Sequence, residues 1–397
     1  MSSIRIGALY SHPAQYAAPL FRELSRRPGV DFTAYFLCRQ GAESTFDAGF
    51  GREISWDISV LEGYKYKFLP NLRAGNSAIG FFSLVNFSVI PEIRRARLDA
   101  LLVHGYEHLS KWLAFGAAMS CGTRLVLRGE SHLDADRKWA VRAAKDVVFR
   151  NLFRRFDGFA YIGTLNRQYY ESYGVQPGQL HFAPYTVDNA FFEDAADRHR
   201  ERRAEIRSEF GVQDDAPVVL FVGKLCERKQ PEMLLRAFAE VRKKQACHLL
   251  FAGDGELREQ IENLSREMAV PNVRVTGFLN QSEIPRAYAC ADVFVLPSAF
   301  ETWGLVVNEA MACGLPVVTT ESTGCAVDLV REGLNGFVVG RTALADLTDR
   351  IGRLVDSAEL RSSFGKRSAE TIKGWSMEKA ADGILESAGT GNKPLGR

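Results

Sequence analysis

Past residue 217 the apolar positions fall in short blocks, at 218–222, 248–252, 273–276, 293–296 and 316–320, most of them closed by Gly or Pro. Runs this short, mostly apolar and ended by turn residues, read as buried strands. Between them the spacing turns helical. From Pro231 to about Lys243 the pattern puts Leu234, Leu235, Phe238 and Val241 on one face, and similar patterns recur around 255–267, 282–290 and 304–313. The amino-terminal half repeats the alternation less cleanly, with strands predicted at 4–9, 32–37, 100–104, 124–127 and 159–162. Strands alternating with helices predict an α/β protein with a doubly wound parallel sheet in each half. The two halves join near 186–215, where Asp, Glu and Arg crowd and apolar residues thin.

Composition narrows the class without naming it. A chain of 397 residues is long for one core and comfortable for two domains. Its 46% hydrophobic and 25% charged residues are ordinary for a globular protein. A net charge of +2 argues against wholesale nucleic-acid binding. The balance is uneven: residues up to 190 carry a net positive charge and the remainder a net negative one, and a basic amino-terminal half suits an anionic acceptor or membrane surface. Seven cysteines with no Cys-x-x-Cys pair argue against a disulfide framework or structural zinc, and for a reducing compartment. The first residues show no signal-peptide core, and no run reaches about 18 apolar residues. A cytoplasmic protein is expected.

The densest candidate chemistry follows the strand at 293–296. Glu301 and Glu309 stand eight residues apart, and a helix opens near Gly304 and closes at Gly314, a glycine suited to a C-cap, with Pro316 beyond. Glu301 is thereby placed in the loop at the strand's carboxyl end, and Glu309 about two turns into the helix. Ligands of open α/β sheets bind at that edge. Carboxylates there can accept hydrogen bonds from the vicinal hydroxyls of a ribose and a hexose, each contributing about 1.5–3 kcal/mol. On spacing alone, Glu309 reads more often as a solvated helix residue. A second loop, Gly223-Lys224-Leu-Cys-Glu-Arg228-Lys229-Gln-Pro231, ends a strand, carries three cations and opens a helix with proline at its first position. Helix-start N–H groups and nearby cations suit a diphosphate.

The segment 298–316 resembles the Glu-x7-Glu motif of retaining GT-B glycosyltransferases, specifically glycosyltransferase family 4 (group 1 glycosyl transferases). The resemblance implies two Rossmann-like doubly wound domains facing across a cleft. Residues 1–185 would bind acceptor and 186–374 the nucleotide-sugar, with a helix at 375–390 packing back on the amino-terminal domain. It further implies Glu301 beside the donor sugar and Glu309 on the ribose, with Trp303, Gly304 and Leu305 in the same pocket. Gly223, Lys224 and Lys229 would meet the phosphates, whereas Arg228 reads as a surface residue. Gly277 and Phe278 match a loop whose backbone meets the nucleobase edge, which leaves the base unread; a UDP- or GDP-sugar is the leading co-substrate. Gly253-Asp254-Gly255 reads as a tight turn, and Asp328 as a helix cap.

The loop after the first strand is not Gly-x-Gly-x-x-Gly, so a dinucleotide fingerprint is absent. His12, Gln15 and Tyr16 there are candidates for acceptor contact, with loop packing the competing reading. His104, preferred over His108, ends the next recognisable strand and by resemblance lies against the donor sugar; with Lys229 and Glu301 it completes the expected catalytic set. Arg128 and Glu130 end the following strand and are further acceptor candidates. A basic stretch at 137–155, with Val141, Val147, Val148, Leu152 and Phe153 as its apolar face, could lie on an anionic membrane or be a domain helix with a solvated face. Asp134 and Asp136 mimic a metal-binding pair but fall in a polar loop and are discounted. The expectation is a hexosyltransferase with no metal and no cofactor. It would move a sugar with retention to a carbohydrate or lipid-linked acceptor, as in surface polysaccharide or glycolipid assembly. A GT-B epimerase, or a silent sugar-nucleotide-binding subunit, is the alternative.

Overall fold

The computed structural model describes residues 3–47, 49–73, 80–133 and 139–390. The chain opens with β1 (Ile4–Tyr10), α1 (Ala18–Arg26) and β2 (Val30–Phe36). Two short strands, β3 (Thr45–Asp47) and β4 (Arg52–Ile54), pair with one another. There follow β5 (Lys65–Phe68), α2 (Val89–Ala96), β6 (Ala100–His104), α3 (Leu109–Ser120), β7 (Arg124–Arg128), α4 (Trp139–Phe153), β8 (Gly158–Tyr161), α5 (Thr164–Ser172) and β9 (Leu180–Phe182). The parallel sheet runs β5-β2-β1-β6-β7-β8-β9. Its central strands β6 and β7 are buried on both faces, which is why they read as apolar runs. Leu101, Val103, Leu125 and Leu127 enter one core and Leu102, Val126 and Ala160 the other, as a two-residue period requires.

Beyond residue 185 come α6 (Asn189–Arg200), α7 (Arg203–Glu209), β10 (Val218–Val222), α8 (Pro231–Arg242), β11 (His248–Ala252), α9 (Arg258–Glu267), β12 (Val273–Gly277), α10 (Ile284–Cys290), β13 (Val293–Leu296), α11 (Leu305–Ala312), β14 (Val317–Thr320), α12 (Ala326–Leu329), β15 (Gly336–Val339), α13 (Leu344–Asp356), α14 (Ala358–Ile372) and α15 (Met377–Ser387). The second parallel sheet runs β12-β11-β10-β13-β14-β15. Its order reverses between β10 and β13, the switch point where such sheets open toward ligands.

The chain divides into two compact units. Unit 1 comprises residues up to Thr45, Ile54–Tyr185 and Met377 onward; unit 2 comprises Phe46–Glu53 and Thr186–Ser376. In unit 1, α15 buries Ala380, Ala381 and Ile384 in the core that holds Phe21 and Ala183. Gly383 permits this approach, since a Cβ there would stand 2.0 Å from the Phe182 carbonyl oxygen. In unit 2, Asn189 Nδ2 donates to the carbonyls of Ile372 (3.1 Å) and Trp375 (3.0 Å), tying the unit's entry to its exit.

The stretch 186–215, where apolar residues thin, is helical: Asp188 caps α6 by accepting from the Phe191 N–H at 3.1 Å, and Phe192, Ala195, Ala196 and Ile206 are buried. Two expectations need correction. On α4, Phe149 and Phe153 face the core while Val147 and Val148 are exposed, because the large rings rather than the valines fill the space beside Tyr106 and Tyr173. Asp328 lies within α12, whose cap position belongs to Cys325. Asp134, Asp136, Arg137 and Lys138 lie outside the described residues.

Candidate functional site

Strands β10 and β13 are parallel neighbours, with Val219 opposite Val293 and Leu220 opposite Phe294, so the loops at their carboxyl ends leave side by side. Gly223 ends β10 at φ +137, and a Cβ there would meet Lys229 Cε at 3.2 Å. Gly253 packs closer still: its Cβ would stand 1.9 Å from the Gly223 carbonyl oxygen. The Gly253-Asp254-Gly255 turn therefore admits the cationic loop as well as turning the chain. Residues Glu227–Lys229 form a single 3-10 turn, Gln230 adopts a left-handed φ of +49, and Pro231 takes the first position of α8.

This path delivers Lys229 to Glu301, 72 residues away. Lys229 Nζ donates to Glu301 Oε1 at 2.6 Å, and the Ser298 hydroxyl donates to the same oxygen at 3.2 Å. Arg228 Nη1 stands 2.8 Å from Glu301 Oε2 and donates to the Phe300 carbonyl at 2.7 Å. Arg228, expected as a plain surface residue, is thus half-exposed but committed to the carboxylate. The backbone of Glu301 is pinned by its own N–H to the Ser322 carbonyl and by the Gly324 N–H to its carbonyl. Burial alone would raise the Glu301 carboxyl, but the Lys229 and Arg228 charges outweigh it and hold it below the ordinary range.

Glu309 sits on α11 just over one turn from its start, nearer than the two turns expected, because Gly304 occupies the cap at φ +98 and Leu305 is the first helical residue. The Tyr288 hydroxyl donates to Glu309 Oε2 at 2.7 Å. Part of its surface meets solvent, yet the enclosing wall pushes its pKa up to about 7, against the lowering effects of Tyr288 and of the Lys229 charge. Trp303 is only 3% exposed; its indole N–H goes to Asn308 Oδ1 at 2.9 Å and its ring lies 5.2 Å from that of Trp375. Its side chain is a core anchor, and its carbonyl accepts from the Cys325 N–H at 2.9 Å, so the indole is turned away from a donor. Gly277 ends β12 at φ +78. Beside it, the Phe278 ring meets Phe50 edge-on at 5.1 Å, with the Arg52 guanidinium 5.4 Å from its centroid. Lys224 Nζ pairs with Asp47 Oδ1 at 2.6 Å.

Unit 1 gathers its candidates at the carboxyl ends of β1, β6 and β7. His104 stacks on Tyr10 with centroids 4.5 Å apart, and its Nε2 stands 3.6 Å from Glu130 Oε1. Burial, then the Lys111 charge, pushes its pKa down to about 3, so the ring is neutral. His108 is buried with Nδ1 3.2 Å from the Gly80 carbonyl. His12 Nδ1 shares a hydrogen with Ser11 Oγ at 2.9 Å; burial and Lys111 bring its pKa to about 4. Tyr16 meets Tyr185 edge-on at 5.5 Å, and the Tyr185 hydroxyl donates to Glu130. Gln15 is half-buried in the same loop. Arg128 is turned inward, 1% exposed, donating to the carbonyls of Ala183 (2.7 Å) and Pro184 (3.1 Å). Its guanidinium braces the chain after β9. Lys111, buried at zero exposure and paired with Glu107 from the loop before α3, was not anticipated.

Among the described residues no group of His, Cys, Asp and Glu is placed to hold a metal ion, and no helix is long and apolar enough to cross a membrane.

Residues 202–371 match the family model described as glycosyl transferases group 1. The chain is 34% identical over 170 residues to an alpha-D-kanosaminyltransferase of Streptomyces kanamyceticus, covering 42% of this chain and 44% of that protein. It is 31% identical over 231 residues to a D-inositol 3-phosphate glycosyltransferase of Nocardia farcinica, covering 56% and 49%. The chain thus spans about half the length of these curated relatives. Across solved structures, it superimposes on a Rickettsia africae glycosyltransferase with a TM-score of 0.73 at 12% identity, over 98% of this chain and 99% of that one. Anabaena HepE, solved in complex with UDP and glucose, gives 0.73 at 17% identity, over 98% and 100%. The fold is the α/β fold of the GT-B glycosyltransferases, with two Rossmann-like units.

Proposed function

We propose that the protein is a glycosyltransferase that moves a hexosyl group from a nucleoside-diphosphate-sugar to a carbohydrate or lipid-linked acceptor with retention of configuration. The observation that carries this reading is the Lys229–Glu301–Arg228 cluster at the switch point of unit 2. Leaving-group departure builds negative charge on a diphosphate, and preorganised cations act where that charge develops. Lys229 and Lys224 would take it, assisted by the N–H groups around Pro231. Glu301, ionised by its two cationic partners, would accept hydrogen bonds from donor-sugar hydroxyls, and Glu309 from the ribose. Gly277 and Phe278 would border the base. In unit 1 a neutral His104 can exchange hydrogen bonds with sugar hydroxyls without repelling a cationic transition state, and His12, Gln15, Tyr16 and Glu130 are acceptor candidates. The acceptor hydroxyl would attack from the leaving-group face, passing its proton to the departing phosphate.

The matched group 1 model over the donor half, the names of the relatives and the UDP complex of a structural neighbour support this reading. UDP- or GDP-sugars are the first donors to try, and surface polysaccharide or glycolipid assembly at the cytoplasmic membrane face is the setting proposed. The test is a thermal-shift screen of uridine, guanosine and adenosine diphosphates and their sugars, followed by turnover. A ligand at 100 times its Kd adds about 2.7 kcal/mol of stability. Lys229→Ala is expected to abolish the nucleotide shift and to lower turnover by about 10²–10³. Near-normal turnover in a folded variant would remove Lys229 from the mechanism.

A further inference from the structure

Residues Phe46–Glu53 lie far from the donor loops in sequence yet belong to unit 2. Asp47 accepts from Lys224 Nζ at 2.6 Å and from the N–H groups of Gly49 (2.8 Å) and Phe50 (3.2 Å). Lys224 Nζ also lies 4.6 Å from the Phe50 ring centroid, and that ring abuts Phe278. A Cβ on Gly49 would stand 2.6 Å from Lys224 Nζ, so the missing side chain is what lets the turn seat on the lysine. An oxyanion thus sits on the loop cation that follows Gly223, with an aromatic ring against the residue that follows Gly277.

We propose that this segment is an internal competitor for the donor site: the Asp47 carboxylate stands in for a phosphate on Lys224 and is released when a nucleoside diphosphate binds. The proposal rests on the reading of Lys224 as a phosphate ligand. Both partners are about one-third exposed, and ion pairs of that exposure are weak, whereas a diphosphate offers more charge and several oxygens to the same cation. Phe50, seated by Phe278, makes the segment responsive to the base as well as to the phosphates.

The experiment compares UDP and GDP binding by calorimetry in wild type, Asp47→Asn and Lys224→Met/Asp47→Asn, with amide exchange of 46–53 followed at saturating nucleotide. Asp47→Asn is expected to lower Kd about two- to fivefold, the worth of an exposed pair, and to lose that effect when Lys224 is methionine. Exchange in the segment is expected to quicken on nucleotide addition. Gly49→Ala, which disturbs the same contact from the other side, is expected to tighten binding in the same direction and serves if Asp47→Asn does not fold. Wild type that binds nucleotide while neither folded variant binds more tightly overturns the proposal alone, as does unchanged or slowed exchange. Absence of nucleotide binding in every protein overturns the donor reading and the proposal with it.

Discussion

Glu309 keeps its proton to about pH 7, against an ordinary value of 4.5, because the folded chain surrounds it with little that can solvate its charge. The folded state therefore binds that proton more tightly than the unfolded state. The resulting stability is complete below pH 4.5 and is lost as pH rises through 7, on the order of 3 kcal/mol at most. Glu309→Gln is expected to flatten this dependence: melting temperatures of wild type should fall relative to the variant between pH 5 and 8. Parallel curves would show that the carboxyl ionises normally. His104 works in the opposite sense. Its folded pKa lies near 3, so its contribution is present above the ordinary 6.5 and is lost as pH falls toward 3. Acid should accordingly loosen unit 1, and His104→Gln should blunt the loss between pH 6.5 and 4, read by circular dichroism. The placement of Glu301 and Lys229 in loops beyond β13 and β10 was legible in the sequence because each follows an apolar strand whose end a Gly or Pro marks. Asp47 and Tyr288 were not, since their partners lie 177 and 21 residues away and no local period announces them.

At the scale of elements, strands with uninterrupted apolar runs could be read almost to the residue, as β10, β11 and β13 show. The edge strand β5 could not: Lys65, Tyr66 and Lys67 are exposed, and a strand with one open edge and polar side chains carries no apolar run to read. The helices α6 and α7 were hidden by their charge, because a few buried residues on each suffice to dock a helix whose other faces are solvated. Arg128, read as a possible acceptor ligand, shows how an element end can mislead: charge at a strand's carboxyl edge also serves to brace a neighbouring loop. Arg128→Met should leave two buried carbonyls unpaired, at about 1–3 kcal/mol each, and lower the urea midpoint. A midpoint equal to wild type would show that the guanidinium is dispensable for folding. Gly253→Ala is expected to displace the Gly223 loop and weaken nucleotide affinity together with stability, since no side-chain adjustment relieves a clash with a carbonyl. Unaltered affinity, measured by titration, would contradict that coupling.

For the whole molecule, the alternation of strands and helices foretold two doubly wound sheets, while the excursion of 46–53 into unit 2 left no trace in the sequence. Ending the chain at Ser376 should remove Ala380, Ala381 and Ile384 from the core of unit 1 alone. Amides of β1 and β8 are expected to lose protection while those of β10 and β13 keep it; equal loss in both sheets, by hydrogen exchange, would refute independent cores. The same layout has a consequence during synthesis. The ribosome completes every strand of unit 1 by Phe182, yet the helix that seals its sheet is made last, after the whole of unit 2. At about 5–20 residues per second, that sheet waits about 10–40 s with α1 on one apolar face but the area under Ala380, Ala381 and Ile384 still uncovered. Unit 2, whose own entry and exit are fastened together through Asn189, can close first. Unit 1, whose core is complete only once α15 emerges, is thus the unit expected to gain more from a chaperone.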